Sequence, residues 1–103
     1  MKNTTDAAVK AKVTSTITLN NGRPVNADFL DIIQGAVEER LMVLPRGTVS
    51  TLKKICGEGF WKRLGEGEKR TAGWCMEHLV AKGQVPFEFA ESRHEYPKHY
   101  RLP

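Results

Sequence analysis

The clearest pattern of apolar and polar positions lies between Asn26 and Pro45. Phe29, Leu30, Ile32, Ile33, Ala36, Val37, Leu41 and Val43 recur at helical spacing, with Glu38 and Glu39 on the opposite side. Asn26 is placed to cap this helix by accepting from a free backbone N–H. Asp28 and Asp31 fall in the first turns, where the helix dipole favours negative charge. Pro45-Arg46-Gly47 stops the run. A second helical stripe is formed by Ala72, Cys75, Met76, Leu79 and Val80, which predicts a helix from about Glu68 to Lys82 closed by Gly83. Gly73 lies inside it at a cost of about 1 kcal/mol relative to Ala, which points to close packing or close approach there.

The remaining segments are shorter. Ile17 and Leu19 alternate with Thr16, Thr18 and Asn20 as a strand, and Asn20-Asn21-Gly22-Arg23-Pro24 reads as a turn. Thr48-Val49-Ser50 predicts a very short strand. Ser50 or Thr51 can then cap a short helix through Leu52 and Ile55 to Cys56. Phe60-Trp61-Lys62-Arg63-Leu64 predicts a further helical turn, between the breaks Gly57-Glu58-Gly59 and Gly65-Glu66-Gly67. Val85, Phe87 and Phe89 share one side of a strand that Pro86 confines to an edge or a strand start. Tyr100 and Leu102 alternate in a second strand, and the two strands predict a hairpin with a basic tip. Residues 1–14, rich in Thr, Ala, Lys and Asn, offer little to bury and predict a flexible N-terminal arm.

The expected fold class is therefore α+β: a single domain over 15–103, with three helices and a C-terminal β-hairpin. That element order resembles a winged helix across about 26–102. The run Thr51-Leu52-Lys53-Lys54-Ile55, with Phe60-Trp61, Leu64, Arg70, Gly73, Val80 and Gly83, also resembles small uncharacterised proteins of enteric bacteria and their prophages. The resemblance implies a mobile-element setting and supplies no mechanism.

Composition adds bounds. At 103 residues, 40% hydrophobic and 27% charged, the chain suits one modest core. It contains no stretch of about 18 apolar residues, so no membrane partner is expected. The first residues carry no apolar run of a secretory signal. Cys56 and Cys75 read as buried reduced thiols of a cytoplasmic protein. The net charge is +4, and all of it lies in residues 46–103. That balance permits nucleic-acid binding without requiring it.

In a winged helix the third helix would enter the major groove of double-stranded DNA. Lys69 and Arg70 would contact bases or phosphate, with Arg70 best placed for a guanine edge. Arg93, Lys98 and Arg101 from the hairpin and Lys53 and Lys54 from the second helix would hold the backbone. Against this, Glu66, Glu68 and Glu77 lie close to the supposed reading surface. Trp61 is expected in the core, beside Phe60 and Leu64. Trp74, beside the main stripe, is either half-buried or an anchor for a protein partner.

Cys75-x2-His78 and His94-x4-His99 make only a weak zinc pattern, since Cys75 sits on the apolar stripe. No third orienting group or oxyanion loop accompanies the cysteines, and the glycine loops lack the Lys-Ser/Thr of a phosphate cradle. No cofactor, metal or enzyme activity is expected. The leading expectation is a small regulatory domain that binds DNA. The alternative is a protein-interaction adaptor, acting for example on a host or phage regulator. A continuous basic stripe favours the first, and a stripe broken by Glu66, Glu68 and Glu77 favours the second.

Overall fold

The computed structural model describes residues 15–90 and 98–103. The expected arm over 1–14 and the hairpin tip lie outside the described residues. The architecture is α+β. Its elements run β1 (Thr16–Thr18), β2 (Pro24–Asn26), α1 (Ala27–Arg40), β3 (Val49–Thr51), α2 (Leu52–Cys56), α3 (Glu58–Lys62), α4 (Glu66–Ala81), β4 (Glu88–Phe89) and β5 (His99–Arg101).

Helix α1 begins where the sequence predicts. The Asn26 side chain accepts from the Asp28 N–H at 2.7 Å, satisfying one of the free donors of the first turn. Leu30, Ile33 and Val37 supply its buried stripe. The helix ends at Arg40, whose Nε donates to the Ile55 carbonyl at 3.0 Å and ties α1 to the end of α2. Ile32 and Val43, expected inward, are 53% and 64% exposed. Ile32 lies off the buried face, and Val43 follows the last helical turn.

Thr51 caps α2 through its hydroxyl oxygen. Gly57 then adopts φ +96°, a conformation L side chains rarely tolerate, and turns the chain directly into α3. The Gly57-Glu58-Gly59 break is thus confined to one residue, and the described residues hold four helices where the pattern predicts three. Gly65 precedes α4 in extended backbone, and its N–H donates to the Glu68 carboxylate at 2.8 Å. At the other end Gly83 takes φ +71°. The Gln84 N–H reaches the Leu79 carbonyl and the Gly83 N–H that of Val80. These two bonds satisfy two of the free carbonyls at the end of α4 in a Schellman arrangement.

Two antiparallel sheets flank the helices. In the first, β1 pairs β2 with Ile17 opposite Val25 and Thr18 opposite Pro24. Pro24 was expected to close a turn; it opens a strand instead, at a position where its missing N–H is tolerated. In the second, the order is β3-β5-β4. Ser50 lies opposite Tyr100, and Phe89 lies opposite Tyr100 on the other side. The C-terminal pairing is shorter than the apolar alternation predicts, since Val85 and Phe87 are buried ahead of β4 rather than within it.

One core joins these layers. Leu19 and Val25 come from the first hairpin, Leu30, Ile33 and Val37 from α1, and Leu52 and Ile55 from α2. Ala72, Cys75, Met76 and Leu79 come from α4, and Val85, Phe87, Tyr100 and Leu102 from the C-terminal segment. Tyr100 is 2% exposed, and its ring lies 5.8 Å from that of Phe89.

Candidate binding cleft

The face of α4 turned away from the core forms one wall of a cleft of about 470 Å³. Glu66, Lys69, Arg70, Gly73, Trp74 and Glu77 line it from α4, and Thr51, Leu52 and Lys53 from the β3–α2 junction. Trp61 of α3, with Lys98 and Tyr100, completes it. Three aromatic side chains therefore border one opening, and its lining is mainly apolar.

Trp74 is half-buried, and its ring lies under the Arg23 guanidinium, 4.3 Å from the ring centroid. This cation–π contact covers one side of the indole and links the β1–β2 hairpin to α4. Trp61 is half-buried as well. It packs against the core, as expected, but also lines the cleft. Gly73 has no near neighbour: a Cβ built there would meet nothing within 4 Å. Of the close packing or close approach expected at Gly73, the close internal packing is absent: the position is open space on the cleft wall. Gly35 in α1 is open in the same sense but does not line this cleft.

The structure divides the cations singled out from the sequence. Lys53 and Lys54 are exposed on α2, and only Lys53 lines the cleft. Arg70 is exposed at the rim. Lys69 lies 3.7 Å from the Glu66 carboxylate. Lys98, with 11% of its side chain exposed, lies 3.7 Å from Glu77. Arg101 meets Glu88 at 2.9 Å and also donates to the Ala90 carbonyl. Arg93 lies outside the described residues. Carboxylates thus stand between or beside the cations, and among the described residues the surface from α4 to β5 alternates in charge rather than forming an uninterrupted basic stripe. Glu68 is used at the helix start, where its carboxylate accepts from Gly65.

On the far side of α4, His78 is buried at 7% exposure. Its Nδ1 accepts from the Asn20 N–H at 2.9 Å. Burial first, and the Lys82 ammonium second, lower its pKa. Both effects favour the neutral ring, whose Nδ1 lone pair the Asn20 bond requires. His78, placed from sequence only in a weak zinc pattern, is instead a buried neutral ring bonded to Asn20 of the β1–β2 turn. Burial pushes the Cys56 and Cys75 thiols up to about 11, with Arg40 opposing the shift at Cys56. Both cysteines are free and buried. Among the described residues no group of three His, Cys, Asp or Glu is arranged to hold a metal ion. None of the described helices is long and apolar enough to cross a membrane.

The cleft residues Leu52, Trp61 and Tyr100 were assigned only to the core from sequence, and Glu77 only to an obstructing role. Gly73, singled out from sequence as a costly mid-helix glycine, does line the cleft. Set against protein-family models, curated proteins and solved structures, this chain matches none of them.

Proposed function

We propose that this chain is a non-enzymatic protein-interaction adaptor whose binding site is the cleft between α4 and the β3–α2 junction. The strand order β3-β5-β4, with β3 placed between α1 and α2, supports a winged-helix reading of the fold. A winged helix does not by itself decide between nucleic acid and protein. The observation that carries the proposal is that Gly73, open with no near neighbour, lines one cleft together with Trp61, Trp74 and Tyr100. A concave site whose lining surface is mainly apolar is the usual form of a small binding pocket, and here charged side chains make up half of the lining residues. The bacterial mobile-element setting that the sequence resemblance implies is part of the same proposal, with a host or phage regulator as the class of partner.

Duplex DNA is the less favoured ligand because Glu66, Glu77 and Glu88 sit within reach of Lys69, Lys98 and Arg101. Each carboxylate repels phosphate and occupies a cation that DNA would need. The test is a titration of random duplex DNA at two salt concentrations, with the unmodified protein, Lys53→Ala and Arg70→Ala. The adaptor reading expects no salt-dependent binding at about 50 mM salt and about 100 μM protein, where non-specific binders register. Binding whose salt slope falls by about one unit for each cation removed would overturn it in favour of DNA.

A further inference from the structure

The cleft's charge narrows the partner, given the adaptor reading above. Four cations line it, Lys53, Lys69, Arg70 and Lys98, against two carboxylates, Glu66 and Glu77. The carboxylates are already engaged by Lys69 and Lys98. Lys53 and Arg70 stand exposed at the rim. An anionic group entering here meets a net positive rim, and an apolar group meets the open floor over Gly73. A cationic ligand would find one face of Trp74 already taken by Arg23.

We propose that the cleft takes a short acidic–apolar peptide segment: one aromatic or branched aliphatic side chain seated over Gly73, with a neighbouring Asp or Glu carboxylate directed to Arg70 and Lys53. The two requirements are separable. The apolar side chain supplies desolvated contact with Trp61 and Trp74, as buried anchors do at interfaces. The carboxylate orients the segment and speeds encounter, and its effect is screened by salt.

The probes are three synthetic peptides sharing a central Phe-Leu pair, flanked by aspartates, by serines or by lysines. Binding is read from the indole N–H resonances of Trp61 and Trp74 in nitrogen-15-labelled protein. The aspartate peptide should bind about five-fold more tightly than the serine peptide at low salt, and the lysine peptide most weakly. That preference should shrink towards unity at about 0.5 M salt, and also in Arg70→Gln and Lys53→Gln. Gly73→Leu should abolish binding of all three, while Gly35→Leu, at an open helical glycine outside this cleft, should leave binding intact and controls for the added side chain. Equal affinity for the three peptides, with both indoles shifting, overturns the acidic preference and leaves the cleft reading standing. No indole response to any peptide overturns both.

Discussion

Replacing Gly73 by alanine should make the protein more stable. A glycine in a helix interior is about 0.8–1 kcal/mol less favourable than alanine, partly through the greater freedom of the unfolded chain. In a packed helix interface that gain is lost to a clash. Here the new methyl meets no atom within 4 Å, so nothing offsets the propensity. The expected gain is about 1 kcal/mol, which for a domain of this size raises Tm by roughly 4–8 °C. Urea unfolding followed by far-ultraviolet circular dichroism measures it, with the slope of the transition unchanged. Gly35→Ala is the matched comparison, since that glycine is also helical and open but lies outside the cleft. The two variants should gain by similar amounts. A gain at Gly35 with a loss of more than about 0.5 kcal/mol at Gly73 would show that the space over Gly73 is filled in solution. The cleft would then be closed by the protein itself or by a second copy.

Leu79→Ala should destabilise by about 2–5 kcal/mol in the same assay, because Leu79 is fully buried in the α4 stripe; a change below about 0.5 kcal/mol would mean the helix packs by another face. His78 supplies a pH dependence. Its pKa is lowered in the folded protein, so the unfolded chain takes up the proton first as pH falls below about 6.5. The stability His78 contributes is complete above that pH and declines as the pH drops towards its lowered native value. Tm should fall between about pH 7 and pH 5 by more in the unmodified protein than in His78→Gln, and parallel curves would remove His78 as the cause. Cys56 and Cys75, with thiols at about 11, should resist alkylation at neutral pH until the protein unfolds; rapid labelling of the native protein would contradict their burial.

Local pattern carried much of the fold. The cap at Asn26, the stop at Gly83 and the stripe Ala72, Cys75, Met76 and Leu79 are short-range features, and each appears at the expected residue. What local pattern lacks is the far partner. Nothing near His78 in sequence announces that Asn20, 58 positions away, will donate to it. Strand β2 was hidden because Pro24 signals a turn as readily as a strand start. The charge alternation was partly legible, since Glu66 and Glu77 could be placed on the face of α4 that holds Arg70 and Trp74. The Lys98–Glu77 pair that makes it concrete depends on how the last strand lies against that helix. The cleft itself was not legible. It is assembled from α2, α3, α4 and strands β3 and β5, and a space between elements has no residue of its own.

Strand β5 sits in the middle of its sheet, yet its partners lie at very different distances along the chain. β4 is a near neighbour, whereas β3 is separated by a loop of about fifty residues, whose closure has an entropic cost. That loop contains α2, α3 and α4, so their condensation shortens the effective distance before β3 and β5 meet. Long-range pairings of this kind form late in folding. Thr51 and Tyr100, from β3 and β5, both line the cleft. A chain with its helices formed but this pairing unmade therefore has both tryptophans without the complete cleft. On the proposed reading, peptide binding should then appear in a refolding experiment only after helical circular dichroism has recovered, and occupancy of the cleft would report that pairing.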